Sequence, residues 1–306
     1  MYVDNAQISH RQLFRQILTA LLGVSLLAVP AAPALRGRQG ILAVLAGIGI
    51  YIALGICFIR VKTVFQEPER YLGKIAGRLF ALCYLSWLWQ ASIWLLLVTA
   101  QITERFLIER SISWIVILFA AGAAYLGSHQ GMERRGRMAE VCFPLLAVIL
   151  GGMLFLAALK MRHGYLEEQG TLTFGGWAEG TWEVLSCLLP LLFLPFTLGN
   201  VSRAGNAGRA MAGAAGLLGA VLSFSILLLQ GSFGLGGYEH KEYPMFDLMA
   251  GVKIPGDFLE RVDIFWIAGV MFSLLFALGS VFFYQHEILA RIRMQKGGAA
   301  AAVAVT

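Results

Sequence analysis

Residues 40–59 read GILAVLAGIGIYIALGICFI, an apolar run without a single charged side chain. A helix of this length crosses a hydrocarbon core of about 30 Å, whereas a helix on the surface of a soluble protein keeps a polar face. Similar runs recur along the 306 residues, and hydropathy divides them into eight spans. The spans cover residues 12–29, 40–59, 79–100, 112–126, 141–159, 184–199, 211–230 and 264–283. The sequence therefore predicts an all-α polytopic membrane protein with about eight transmembrane helices.

The composition excludes most other classes of protein. Hydrophobic residues make up 58% of the chain and charged residues only 14%, with a mean hydropathy of +0.72. Soluble domains carry about 25% charged residues, so a soluble enzyme, a secreted disulfide scaffold and a nucleic-acid binder are excluded. The net charge of +6 fits basic loops beside a lipid bilayer. Each of the four cysteines stands alone in a different apolar run, which favours packing over metal binding or disulfide formation.

The distribution of basic residues predicts the orientation. With the N-terminus inside, the cytoplasmic segments hold 15 of the 24 Lys and Arg residues, including Arg134, Arg135 and Arg137 in the loop before the fifth span. Basic residues are enriched in cytoplasmic loops, so both termini are predicted to be cytoplasmic. The first span followed by Ala32-Pro33-Ala34 also resembles a signal peptide, but the seven spans that follow favour its retention as a helix.

The polar residues do not predict an enzyme. No Asp or Glu lies near the middle of a span, and the membrane-depth sequence contains no Ser/His/Asp set, metal cluster or phosphate loop. We therefore expect no catalytic residues, no metal and no cofactor. Glu179 and Glu183 are interpreted as part of an acidic, solvated loop, and Gln90 as a partner in an interhelical hydrogen bond. The loop over residues 231–263 is predicted to fold back as short helices.

Two spans carry residues that break or bend helices. The first contains Gly23-Val24-Ser25 and ends at Pro30, and the sixth contains Pro190 and Pro195. Transporters bind small zwitterions where paired helices unwind at the middle of the membrane. A separation of five spans also matches an inverted repeat. Ordinary kinks remain the alternative, because Gly and Pro are common in membrane helices.

Three groups of short motifs resemble one known family. The first group is ISHRQLF at residues 8–14, GVSLL at 23–27 and Pro30; the second is GME at 131–133, RMAE at 137–140 and FP at 143–144; the third is YP at 243–244 and ERVD at 260–263. In this order, over about 280 residues, they resemble the endospore germination permease family. Its members are the B-type subunits of spore germinant receptors, within the amino acid–polyamine–organocation superfamily.

The resemblance implies an inverted-repeat, amino-acid-permease-like bundle. Residues 1–296 would form one transmembrane domain, with a first repeat at about 12–159 and a partial second repeat at about 184–283, before a disordered tail at 297–306. The family pattern has ten spans, so the last two would be missing, either in a natural short variant or in a truncated copy. The resemblance places the ligand pocket at Gly23, Val24 and Ser25 of an unwound first span and at residues of the sixth span: Phe193, Pro195, Phe196 and Thr197.

The function implied by the resemblance is germinant sensing. The protein would bind a small amino-acid-like germinant in the spore inner membrane and signal beside an A-type subunit and a C-type lipoprotein. A cytoplasmic-membrane secondary transporter of amino acids, using the same pocket, is the first alternative. A membrane scaffold that binds no ligand is the second.

Overall fold

A computed structural model describes residues 8–60, 68–108, 113–128, 131–166, 170–188, 206–237, 241–252 and 261–303. The described chain is built from α-helices: α1 (His10–Ala28), α2 (Gly37–Arg60), α3 (Pro68–Leu72), α4 (Lys74–Ile102), α5 (Ser113–Ser128), α6 (Gly131–Ala158), α7 (Phe174–Leu188), α8 (Ala207–Phe233), α9 (Pro244–Ala250) and α10 (Asp263–Val303). A π-helical turn (Thr103–Leu107) extends α4, and a 3₁₀ turn (His163–Leu166) follows α6. The prediction of an all-α protein is confirmed.

Five helices are long and apolar enough to cross a membrane: α2, α4 with its π turn, α6, α8 and the Asp263–Ala290 part of α10. The chain is therefore an integral membrane protein, as predicted. Of the other spans, α1 has 19 residues and α5 has 16, and residues 189–199 of the sixth lie outside the described residues. The count of eight stays a prediction. Helix α10 continues to Val303, through most of the segment expected to be a disordered tail.

Helix α1 lies at the centre of the bundle. Every residue from Gln16 to Leu27 is buried, and α1 packs against α6, α8 and α10 and more lightly against α7. Apolar residues on all sides of this stretch allow it to pack against neighbours in every direction. The first apolar segment of the sequence is thus the axis around which the other helices are arranged.

The start of α1 is fixed by a capping box. The Ser9 hydroxyl accepts a hydrogen bond from the Gln12 backbone N–H at 3.2 Å, and the Gln12 side chain accepts one from the Ser9 N–H at 3.0 Å. This reciprocal pair satisfies backbone donors that a helix start otherwise leaves unpaired. The Gln12 amide also donates to the Glu140 carboxylate of α6 at 3.1 Å. The ISHRQLF motif therefore sets the first residue of α1 and attaches it to α6.

A single serine joins α1 to α10. The Ser273 hydroxyl accepts a hydrogen bond from the Gly23 N–H at 2.8 Å and donates one to the Thr19 carbonyl at 2.7 Å. A Cβ placed on Gly23 would lie 2.5 Å from the Ser273 Cβ, so the two helices touch at this glycine. Close packing at small residues and hydrogen bonds between helices are what hold helices together in lipid.

Glycines also bring α2 close to its two main neighbours. A Cβ on Gly47 of α2 would lie 2.8 Å from a methyl carbon of Val184 in α7. A Cβ on Gly219 of α8 would lie 2.9 Å from the Ile48 side chain of α2. Helix α2 is therefore held between α7 and α8, as α1 is held between α8 and α10.

Arg135 departs from the prediction that placed it in a loop. Helix α6 begins at Gly131, so Arg135 lies in its second turn, where it is only 4% exposed. Its guanidinium donates to the Phe276 carbonyl at 3.0 Å and to the Ser280 hydroxyl, and it stacks over the Phe276 ring at 4.8 Å. The helix starts before the apolar run does, because charged residues extend it beyond the hydrocarbon region. Hydropathy marks only the apolar part.

The two long connections are also more ordered than an irregular loop. The interpretation of the segment with Glu179 and Glu183 as a loop was wrong, because α7 begins at Phe174. Both glutamates are exposed on this helix, while Gly180 is buried against Leu35 and Ala43. The second connection contains the short helix α9, as expected. Its preceding Tyr243 donates to the Gln101 side chain at 3.0 Å. Burial, reinforced by Glu242, raises the pKa of Tyr243, so its hydroxyl remains a proton donor.

The Gly23–Ser273 contact predicts a specific stability effect. We expect Gly23→Ala to lower the stability of the purified protein by about 1–3 kcal/mol, because the added methyl group overpacks the helix contact. Thermal unfolding in detergent measures the change. Gly49→Ala is the matched control, since a Cβ there meets no atom within 4 Å.

A second substitution tests whether the loss of stability arises from the contact between residues 23 and 273. Ser273→Gly removes the Cβ that the new alanine would strike, so Gly23→Ala/Ser273→Gly should lose less stability than the two single changes added together. Additive losses would show that the two residues do not interact.

Candidate functional site

A cavity of about 330 Å³ lies between α1, α4 and α7. The described residues that border it are Ala28, Trp87, Gln90, Ala91, Trp94, Glu183, Ser186 and Cys187. We call this the three-helix cavity. Its volume is at the lower end of the range for small-molecule sites, which are apolar pockets with a few polar groups.

Helical periodicity explains why these residues meet. Trp87, Gln90, Ala91 and Trp94 are separated by three or four positions, so they form one face of α4. Glu183, Ser186 and Cys187 have the same spacing on α7. Ala28, the last residue of α1, completes the wall. Helices α4 and α7 thus each contribute one face to the cavity, and α1 contributes its last residue.

The polar groups of the cavity are a carboxylate and an amide. Glu183 of α7 and Gln90 of α4 both border it and are both exposed. Among the described residues, Gln90 makes no interhelical hydrogen bond of the kind that the sequence suggested. On α4 the Ser92 hydroxyl accepts a hydrogen bond from the Gln285 amide of α10 at 2.6 Å. Between them the two cavity groups can accept and donate hydrogen bonds, and the carboxylate can balance a cation.

Two tryptophans also allow the cavity to attract a cation. Trp87 and Trp94 lie one on each side of Gln90 along the same face of α4. The face of an indole attracts a cation, by about 0.5–2 kcal/mol according to how far it is removed from water. A carboxylate and two indoles around one cavity favour a ligand with an ammonium group.

The predicted site residues of α1 lie elsewhere. Gly23, Val24 and Ser25 are all buried, α1 runs through them as one regular helix, and the Ser25 hydroxyl donates to the Leu22 carbonyl at 3.2 Å. They are not among the described residues that border the three-helix cavity. Helix α1 is not unwound at these residues, and the Gly23 N–H donates a hydrogen bond to Ser273.

The predicted site residues of the sixth span lie outside the described residues: Phe193, Pro195, Phe196 and Thr197. Their binding role stays a prediction. The cavity residues Glu183, Ser186 and Cys187 come from the turns just before them in the sequence.

The three-helix cavity draws on the first and sixth spans, as the predicted pocket does, but none of its described residues belongs to that pocket. The three-helix cavity takes one residue from the first span and three from around the start of the sixth, and the other four come from the third span. One signal was available: a carboxylate and small polar residues at positions 183, 186 and 187 fit one helical face. That signal was missed because Glu183, one position before the sixth span, was interpreted as a loop residue.

Comparison with known proteins now defines the class. The sequence model of the family described as "Spore germination protein" matches residues 7–296, nearly the whole chain. The chain therefore belongs to this family of spore germination permeases, as its motifs suggested. The membrane-spanning helices are consistent with that membership.

A curated relative supports the assignment. The chain is 23% identical over 304 residues to the spore germination protein YndE of Bacillus subtilis (strain 168). The alignment covers 94% of this chain and 81% of the relative. The similarity therefore extends over most of both proteins.

The three-helix cavity predicts an asymmetry between two alanines. Ala91→Leu places three further carbon atoms in the cavity, so we expect the melting temperature to change little. Ala43→Leu should cost about 1–3 kcal/mol, because Ala43 is 0% exposed and a Cβ on Gly180 would already lie 3.0 Å from it. Thermal unfolding of both variants in the same detergent measures the difference, and equal losses would contradict the cavity.

Proposed function

We propose that the protein is a permease-like subunit of a spore germinant receptor that binds a small amino-acid-like germinant and signals germination. The observation that carries the proposal is the three-helix cavity, which is bordered by a carboxylate, an amide and two tryptophans. Family membership supplies the biological setting. The site is a binding site, and no reaction of the ligand is proposed.

The proposed pose follows from the charges. The ammonium group of the germinant pairs with the Glu183 carboxylate and lies against the indole of Trp87 or Trp94. The carboxylate of the germinant accepts a hydrogen bond from the Gln90 amide. These residues lie on α4 and α7, while Ala28 ends α1. A ligand bound here contacts three helices at once, so it favours one relative arrangement of them.

The proposal also includes the pocket residues that the family resemblance suggested. Gly23, Val24 and Ser25 lie on α1 one to two turns before Ala28, and Phe193 to Thr197 follow Cys187 in the sequence. A bound germinant that separated α1 from α10 at Ser273 would free the Gly23 N–H for a carboxylate. The resemblance-based pocket would then be the deeper part of the same site.

The inverted repeat is part of the proposal. Helix α1 packs against α8, and α7 packs against α2. In a repeat that starts again at the sixth span, each first helix packs against the second helix of the other repeat, and these two contacts fit that relation. Eight spans, with both termini in the cytoplasm, are the arrangement proposed for a spore inner membrane.

The proposed signal passes to partner subunits of the A-type and C-type. The exposed apolar faces of α4, α5 and α6 contact lipid or such partners; they include Trp89, Leu118, Phe119, Val141 and Phe155. Co-purification with the A-type and C-type subunits tests this part of the proposal.

Removing the charge at Glu183 tests the binding site. We expect Glu183→Gln to weaken binding of the responsive amino acid by about 10- to 100-fold, since hydrogen bonds to charged groups contribute about 1.5–3 kcal/mol. The measurement is a thermal-shift titration of the purified protein with common amino acids, because a ligand of the folded state raises its melting temperature.

A neighbouring glutamate provides the control. Glu179 lies one turn earlier on α7, is exposed and does not border the cavity in the described structure. Glu179→Gln should bind like the unaltered protein. Equal weakening by both substitutions, or normal binding by Glu183→Gln, would refute the proposed site.

Reconstitution separates the alternatives. A receptor subunit should bind the amino acid without moving it, so proteoliposomes should accumulate no more labelled ligand than empty liposomes. Saturable uptake that Glu183→Gln abolishes would instead identify a secondary transporter with the same site. The ligand-free scaffold predicts no thermal shift with any amino acid in a folded preparation.

A further inference from the structure

A second cavity, of about 550 Å³, lies where α1 and α8 begin, beside α6. The described residues that border it are His10, Arg11, Phe14, Arg15, Phe143, Asn206, Arg209 and Ala210. We call it the basic cavity, because three arginines and a histidine line it. It is at the opposite end of α1 from the three-helix cavity, and germinant binding gives it no role.

Arg15, one of the arginines that border the basic cavity, is already paired with a carboxylate of α6. Glu140 pairs with Arg15 at 3.0 Å and accepts a further hydrogen bond from the Gln12 amide at 3.1 Å. The Arg15 guanidinium also points toward the Glu140 carbonyl at 3.5 Å. This pair therefore neutralises Arg15 and joins α1 to α6.

In the part of the chain that the structure describes, the other two arginines have no such partner. Among the described residues, no carboxylate lies within 4.0 Å of the charged nitrogens of Arg11 or Arg209. Both side chains are exposed, one on α1 and one on α8. Two like charges across one cavity repel each other, so an anion between them lowers the energy of both.

The N-terminal ends of α1 and α8 are positive, like the arginines beside them. Neither α1 nor α8 has an acidic residue in its first turn, and Asn206 before α8 makes no side-chain cap. The N-terminal end of a helix carries a partial positive charge. These helix ends add to the field of the arginines.

The apolar part of the cavity indicates which anion fits. Phe14 and Phe143 pack edge to face at 6.3 Å between their ring centres. Both adjoin the apolar runs of α1 and α6, so the cavity joins charged residues to the depth where lipid chains begin. A free anion would contact the arginines alone, whereas a phospholipid would contact both parts. Basic pockets between transmembrane helices bind phospholipid head groups.

We propose that the basic cavity binds the phosphate group of an anionic phospholipid between Arg11 and Arg209, with the lipid chains against Phe14 and Phe143. The bound lipid bridges the start of α1 to the start of α8. The proposal is independent of the germinant site.

Native mass spectrometry of the full chain with added phosphatidylglycerol tests the proposal. Each basic residue near an anionic lipid contributes about fivefold in affinity. We therefore expect Arg11→Gln/Arg209→Gln to bind phosphatidylglycerol about 25-fold more weakly, and Arg11→Lys/Arg209→Lys to retain binding. Phosphatidylcholine should bind weakly to every variant.

Arg134→Gln is the matched control, because Arg134 is exposed on α6 and does not border the basic cavity in the described structure. It should change lipid affinity by less than about twofold, an effect of net charge alone. Melting temperatures close to that of the unaltered protein confirm that the variants are folded.

Two results would overturn the proposal. The first is phosphatidylglycerol binding that is unchanged in Arg11→Gln/Arg209→Gln or reduced equally in Arg134→Gln, which would indicate diffuse attraction. The second is competition by millimolar inorganic phosphate together with no preference for phosphatidylglycerol over phosphatidylcholine, which would assign the cavity to free phosphate.

Discussion

The contact of α1 with α10 is the interaction on which the rest of the bundle depends. Lipid chains are as apolar as leucine, so burial alone does not drive helices together in a membrane. Here Ser273 supplies a hydroxyl to both Thr19 and Gly23, and the absence of a side chain at Gly23 lets the helices touch. Because α1 is also packed against α6 and α8, fixing it to α10 determines where those helices stand.

Other polar side chains also join helices of the bundle through hydrogen bonds. Arg135 of α6 bonds to the Phe276 carbonyl and the Ser280 hydroxyl of α10, two turns along from Ser273. Gln285 of α10 bonds to Ser92 of α4. A polar group that finds no partner in lipid costs several kcal/mol, so each of these bonds selects one register between helices. Helix α10 takes part in all three of these bonds. Together with the Ser273 contact, they make α10 the common partner of α1, α4 and α6.

The two ends of α1 border two cavities of different chemistry. Ala28 borders a space with a carboxylate, an amide and indoles, which suits a small zwitterion, while Arg11 and Arg15 border a basic space. Helix α1 is one continuous helix between them. The proposed germinant and the proposed lipid would therefore contact the same helix.

The amino-acid sequence alone was enough to predict an all-helical membrane protein, because uncharged runs such as residues 40–59 are stable across a lipid core. Its short motifs were enough to suggest the family. Its Ser9 and Gln12 also fix the start of α1, since a capping box is a local interaction. Which helix faces meet depends on contacts between residues far apart in the sequence, so it became known only from the three-dimensional fold. It made Gly23 a packing contact within an unbroken helix, moved Arg135 from a predicted loop into the bundle, and brought Gln90 and Glu183 to one cavity. Hydropathy gives the length of a helix but not its rotation, and the rotation follows from contacts between residues as far apart as Gly23 and Ser273.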